Sequence, residues 1–264
     1  MYAFEYNKAK SVADASQAAS ADEEAKILAG GMTLIPTLKQ RLAKPTKLID
    51  LNGLGDLVGI KREGNGITIG AMTRHAAVAR SADVKAVIPA LAELAGMIGD
   101  PAVRNRGTIG GSIANHDPAA DYPAGCLGLN ATIITNKRKI AADDFFTGMF
   151  STALEDGELV TAVSFPKPDK AAYMKFKNPA SRYAIVGVFV AKTGNDVRVA
   201  VTGAGAGVFR SKEIETALAK SFLPTAVEGI KIPPDGLNSD IHASAEYRAH
   251  LITVMAKRAV VACG

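Results

Sequence analysis

Two pairs of adjacent glycines carry the strongest chemical signal in this chain. They are Gly30-Gly31 in LAGGMTLIP (28–36) and Gly110-Gly111 in RGTIGGSIAN (106–115). The first pair follows a short apolar run and precedes a helix-like stretch. The second follows the β-branched Ile109, with the hydroxyls of Thr108 and Ser112 on either side. Glycine turns through positive φ without strain and has no Cβ to block an approaching ligand. Backbone amides gathered where a chain enters a helix form an anion site. Neither segment is a Walker A loop or a G-x-G-x-x-G fingerprint, because the lysine and the third glycine are missing. Alone, the first pair reads more readily as a structural turn than as a phosphate cradle. Together they make a pair of amide-rich turns able to grip a pyrophosphate from both sides. Arg104 and Arg106 lie just upstream, where they would neutralise phosphate or form surface ion pairs. Asp117 and Asp121 lie downstream, with carboxylates suited to ribose or ribityl hydroxyls.

Short elements must position these residues. YAFEY reads as an opening strand, KILAGG as a strand running into a glycine turn, and KLIDL and GITIGAM as further strands. Leu34, Leu38 and Leu42 recur at helical spacing, with Pro36 tolerable in a first turn. Ser11 with Asp14, and Ser20 with Glu23, have capping-box spacing beside alanine-rich helical stretches. Residues 73–99 read as helix interrupted near Pro89, ATIITNKRKIAA as a hairpin, and GELVTAVSFP as a closing strand. ITIGAMTR and TIGGSIAN read as two similar exits from strand to turn. A boundary is expected at FPKPDKAA (165–172), followed by three strands and two helices.

Composition narrows the function classes. With 264 residues, 48% hydrophobic and 22% charged, the chain can bury a sizeable core in one or two domains. Its formal charge is +5, but the basic residues are scattered and NKRK is the densest cluster, which argues against nucleic-acid binding. Cys126 and Cys263 lack the number and spacing for a disulfide framework, a zinc site or an iron–sulfur cluster. The N-terminus has no signal-peptide core and no segment approaches ~20 consecutive apolar residues, so a cytoplasmic chain is expected.

LAGGMTLIPTLKQRLAKPTKLIDL, ITIGAMTRHAAV and DPAVRNRGTIGGSIANHDPAADYPA resemble the FAD-binding medium subunit of the molybdenum hydroxylases, the xanthine dehydrogenase and carbon monoxide dehydrogenase family. KFKNPASRYAIVGVFVAK and SDIHASAEYRAHLITVMAKRAV extend the resemblance across nearly the whole chain. It implies an α+β protein. Residues 1–166 would form an FAD-binding domain of the vanillyl-alcohol-oxidase type, with two subdomains at about 1–55 and 56–166. Residues 167–264 would form a small α+β domain.

By the same resemblance, Ala29, Gly30, Gly31, Met32, Thr33, Leu34 and Ile35 wrap the FAD diphosphate. Thr108, Ile109, Gly110, Gly111 and Ser112 close on it. Asp121 bonds the sugar-alcohol chain, and Asp117 shapes its turn. Leu159 and Val160 line the pocket, Lys177 stands near the cofactor, and Tyr183 covers the isoalloxazine face. Met32 and Ser112 depart from the residues frequent there, and Ile98 stands where some relatives have an aromatic against the adenine. No motif matches covalent flavin attachment, so noncovalent FAD is expected. His116 reads as a solvent-facing loop histidine, and His242 and His250 as surface residues.

The chain lacks the cysteines for two [2Fe–2S] clusters and the length for a molybdopterin domain. The resemblance therefore places those groups on a small and a large partner subunit, in a dimer of heterotrimers. FAD would pass electrons from the iron–sulfur subunit to NAD or another acceptor. Two alternatives are an autonomous flavin oxidase or dehydrogenase and a non-enzymatic nucleotide-binding assembly protein.

Overall fold

A computed structural model describes residues 1–264. The first segment holds β1 (Glu5–Lys8), α1 (Val12–Ser20), β2 (Lys26–Leu28), α2 (Leu34–Lys39) and β3 (Lys47–Asp50). Its strands form a parallel sheet in the order β1-β3-β2. Ser11 caps α1 by accepting from the Asp14 amide. Ser20 starts no second helix: it ends α1, and a turn leads directly into β2. The helix expected as far as Leu42 closes at Lys39, after which Arg41 takes a left-handed φ of 59°.

The next segment runs β4 (Ile60–Glu63), β5 (Gly66–Gly70), α3 (His75–Arg80), α4 (Ala82–Val87), α5 (Pro89–Gly96), α6 (Pro101–Arg106), α7 (Ile109–Asn115) and α8 (Asp121–Gly128). It continues with β6 (Thr132–Thr135), β7 (Lys139–Ala141), α9 (Ala142–Phe145), β8 (Phe146–Gly148), β9 (Ser151–Thr152) and β10 (Val160–Pro166). β4-β5-β10-β6-β7 is an antiparallel sheet whose central Val163 faces Ile69 on one side and Ile133 on the other. Pro89 and Pro101 each open a helix where no amide partner is lost. TIGGSIAN is not a second strand exit. Thr108 caps α7, and the glycines lie in its first turn.

The third segment comprises β11 (Lys170–Lys177), β12 (Ala184–Thr193), β13 (Asp196–Thr202), β14 (Phe209–Arg210), α10 (Lys212–Lys220) and α11 (Ala245–Ala262). The three expected strands are joined by the short β14 in an antiparallel sheet ordered β11-β12-β13-β14. β12 is buried on both faces, which explains its near-continuous apolar run. One face, with Tyr173, Phe189, Ala191 and Ala200, completes the core of the second segment. The other packs Val186, Val188 and Val190 against α10 and α11. Phe189 abuts Gly128 of α8, where a Cβ would lie 2.6 Å from the ring. Arg198 adds a polar tie, bonding Leu127 O at 2.7 Å and Asp143 at 2.5 Å. The third segment is thus built into the wall of the second. No helix is long and apolar enough to cross a membrane.

Candidate functional site

A cavity of about 650 Å³ lies between the β2–α2 loop, the start of α7, the Asp117–Asp121 loop and the β11–β12 connection. That volume suits a cofactor-sized ligand. The β2–α2 loop supplies Ala29, Gly30, Gly31, Met32, Thr33 and Leu34 to its wall. Gly31 has φ +74°, a left-handed turn that glycine alone adopts freely. The amides of Gly30, Gly31, Met32, Thr33 and Leu34 donate to no acceptor in the chain, and the first bond into α2 is Ile35 N to Gly31 O. Five consecutive unengaged N–H groups make a built anion cradle. Asn52 holds the loop in place, donating through its side-chain amide to Ala29 O at 2.8 Å, while Asp50 orients Asn52 at 2.7 Å.

The second glycine pair faces the first but works differently. The Ile109 amide donates to Thr73 O at 3.1 Å and that of Gly110 to Ala71 O at 2.8 Å. Gly111 N donates to the Thr108 hydroxyl at 3.2 Å and Ser112 N to Thr108 O at 3.0 Å. All four amides are occupied, which corrects the picture of two equivalent amide turns. Here glycine serves close approach. A Cβ on Gly110 would stand 2.5 Å from the Ala71 Cβ, and one on Gly111 would stand 3.3 Å from the Ala29 Cβ. Gly30 lies flat on the chain before α7, so a Cβ there would fall 2.2 Å from Arg106 O.

The cavity wall also carries Ile98, Asp100, Asp121, Lys175, Ala180 and Tyr183. Asp121 is buried; Tyr173 donates to one carboxylate oxygen at 2.5 Å and Lys175 to the other at 2.9 Å. Burial pushes this carboxyl above the usual range, and the Lys175 ammonium and Tyr173 hydroxyl oppose that push. Asp117 accepts from the Ala119 amide at 2.8 Å. The third segment clamps this loop: Gly203 N donates to Pro118 O at 2.8 Å, and the Thr202 hydroxyl lies 2.7 Å from Ala120 O and 3.0 Å from Pro118 O. Thr202→Val should therefore cost about 1 kcal/mol by removing the hydroxyl donor from Ala120 O. Chemical denaturation should show that loss, and unchanged stability would mean the clamp is idle.

Lys26, Ile27, Leu51, Glu158, Leu159 and Val160 also line the wall. Hydrogen bonding to Arg138, above all, holds the Glu158 carboxyl at about 2 despite its burial.

Several expected residues fall outside the cavity wall. Ile109 points into the core, and Ile35 does not reach the wall. Lys177 is exposed at the end of β11, where the β11–β12 register shifts between Phe176 and Lys177. Arg104 spends its guanidinium on Ile98 O and Gly99 O at 2.9 and 3.1 Å, and Arg106 is exposed. His116 is buried rather than solvent-facing. It closes α7 at φ 41°, packs against the Phe146 ring with centroids 4.7 Å apart and planes tilted by 48°, and places Nδ1 2.9 Å from Ser151 O. His242 and His250 are exposed, as expected.

His75 also lines the wall. It is 4% exposed, its Nδ1 has no partner, and burial, with Arg104 nearby, lowers its pKa to about 4. The folded state therefore holds it neutral, while an unfolded chain protonates it near 6.5. The associated stability is complete above pH 6.5 and declines as pH falls toward 4, by about 2 kcal/mol between pH 7 and 5. Urea unfolding across that interval should show a shallower pH dependence in His75→Leu than in the native chain. Equal slopes would refute the assignment.

Residues 2–168 match the family described as the FAD-binding domain in molybdopterin dehydrogenase, and residues 171–262 match the CO dehydrogenase flavoprotein C-terminal domain. The carbon monoxide dehydrogenase medium chain of Afipia carboxidovorans is 40% identical, with 97% of this chain and 95% of that one covered. The nicotine 6-hydroxylase medium subunit of Paenarthrobacter nicotinovorans is 35% identical, covering 99% and 98%. A crystal structure of the Cu,Mo-CO dehydrogenase in its cyanide-inactivated form superposes with a TM-score of 0.89 at 35% identity, covering 100% and 98%. Quinoline 2-oxidoreductase from Pseudomonas putida 86 gives 0.88 at 28% identity, covering 99% and 96%.

Proposed function

Because the chain belongs to the FAD-carrying medium-subunit family of the molybdenum hydroxylases, we propose that it relays electrons inside such a complex, from a [2Fe–2S] subunit to NAD or another soluble acceptor. The observation that carries this reading is the run of unengaged amides from Gly30 to Leu34, faced at close quarters by the glycines of α7. Amides of this kind meet the charge of a diphosphate without a lysine. Ala29 to Leu34 would hold that group, with Thr108, Gly110, Gly111 and Ser112 closing over it. Asp121 would meet the hydroxyls of the sugar-alcohol chain, and Leu159 and Val160 would face one aromatic end. Tyr183, half-exposed on the wall, would cover the isoalloxazine.

When bound, FAD supplies the step between single-electron and paired-electron transfer. The protein's own work is positioning: the parallel sheet and α7 fix the diphosphate, while the third segment fixes Asp121 and leaves Tyr183 at the open side. Residues 1–55, 56–166 and 167–264 are the units we assign to these tasks.

The two cysteines lie apart, one fully buried, so iron–sulfur chemistry belongs to a partner. We assign a small [2Fe–2S] subunit and a large molybdopterin subunit, in a dimer of heterotrimers. Purification of the native assembly should return FAD, iron and molybdenum in fixed proportion, while the chain alone should be yellow yet unreduced by the substrate of the complex. Reduction of the isolated chain by that substrate would instead establish an autonomous flavoenzyme, and a colourless native preparation would remove the flavin reading.

A further inference from the structure

Lys175 buries its side chain, 2% exposed, in the cavity wall. An ammonium has three N–H donors. One goes to Asp121 Oδ2 at 2.9 Å and one to Met97 O at 3.2 Å. The third has no acceptor in the chain. A buried cation with a free donor is costly unless a ligand atom completes its shell. Lys175 is tied to Asp121, the residue given above to the sugar-alcohol chain, and β11, which carries Lys175, leads into the connection that holds Tyr183, so Lys175 belongs to the flavin side of the cavity. Lys177, two residues on, lies beyond the register shift and faces solvent.

We propose that Lys175, rather than Lys177, is the cofactor-contacting lysine: its third N–H donates to the flavin half of bound FAD, and its fixed charge favours the reduced ring. The inference rests on the FAD reading above and concerns which residue of this chain meets the ring. A reduced flavin gains negative charge, and a buried cation held by two acceptors stabilises that charge without reorganising. Asp121, its partner, lies on the same wall with the opposite sign. The two therefore act on the potential in opposite directions, whereas loss of a merely structural pair would shift it the same way in both variants.

The test uses the full chain loaded with FAD and follows binding and the two-electron midpoint potential. Lys175→Gln should weaken FAD at least tenfold while changing ADP affinity less than twofold. Its midpoint should fall by about 30 mV for each tenfold lost in preference for the reduced form. Asp121→Asn should move the midpoint upward, Lys175→Arg should restore it, and Lys177→Gln should have the smaller effect of the two lysine variants. If breaking the pair prevents Lys175→Gln from folding, the sign of the Asp121→Asn shift and the arginine rescue decide the matter. The proposal is overturned by shifts of the same sign in Lys175→Gln and Asp121→Asn, by a larger shift in Lys177→Gln, or by equal weakening of ADP and FAD. A native chain that takes up no FAD would overturn the flavin reading together with the proposal.

Discussion

Gly30→Ala should strip the chain of FAD and lower its folding stability by about 3 kcal/mol. The added Cβ would sit 2.2 Å from Arg106 O, 2.7 Å from Gly107 Cα and 2.8 Å from Arg106 C. All three are backbone atoms, so no side chain can swing aside. Relief requires moving either the β2–α2 loop or the chain between α6 and α7. The loop is tied by Asn52 to Ala29 O and by Leu51 N to Leu28 O at 3.0 Å. The other side is tied by His75 N to Gly107 O at 3.0 Å and Gly107 N to Val103 O at 2.7 Å. Either movement separates the amide cradle from the glycines that face it. Visible absorbance after purification and a denaturation curve would report both losses. A yellow Gly30→Ala chain with native stability would show that the loop and α7 do not need this contact.

Gly111→Asp should empty the site by a different route, with the fold retained. Its Cβ would meet Thr108 Oγ1 at 3.0 Å and the Ala29 Cβ at 3.3 Å, a tight fit that small side-chain adjustments absorb. Aspartate also suits the first turn of a helix. Its carboxylate would enter the cavity across from the Gly30–Leu34 amides and oppose a diphosphate there. Like-charge juxtaposition at close range costs several kcal/mol, so FAD affinity should fall on the order of a thousandfold, or ~4 kcal/mol. Gly111→Asn supplies nearly the same bulk without the charge and should lose far less. Fluorescence titration of the two variants with FAD separates charge from bulk. Equal affinities for Asp and Asn would mean no phosphate approaches Gly111.

Both glycine pairs were legible in the sequence because close backbone approach leaves almost no other residue type admissible. Strand β12 was legible for a related reason: a strand covered on both faces must be apolar throughout. What the two pairs do could not be separated there. Whether an amide is free depends on distant carbonyls, and those of Ala71 and Thr73 reach α7 only because Arg74 and Thr108 pair across the intervening helices α3 to α6.

The same limit hid Lys175. Its partnership with Asp121 spans 54 residues, and Lys177, two positions on, offers the same residue type without that partner. His116 was misread because its loop position suggested solvent, whereas β8 and the Val208 amide cover it from segments far along the chain. Asn52 was missed because a side-chain amide bonding a loop carbonyl has no spacing rule. Local signals thus located the turns and caps, while long-range register selected the polar groups that meet in the cavity.

The central claim is that one loop donates its amides to the cofactor's diphosphate and the opposing helix start supplies closeness without donating. Amide ¹H–¹⁵N spectra of the chain with and without FAD test it most directly. The account predicts that Gly30, Gly31, Met32, Thr33 and Leu34 show large downfield proton shifts of the kind phosphate acceptors cause, while Ile109 to Ser112, already bonded, shift little. Unmoved resonances from Gly30 to Leu34 in an FAD-saturated chain would contradict it.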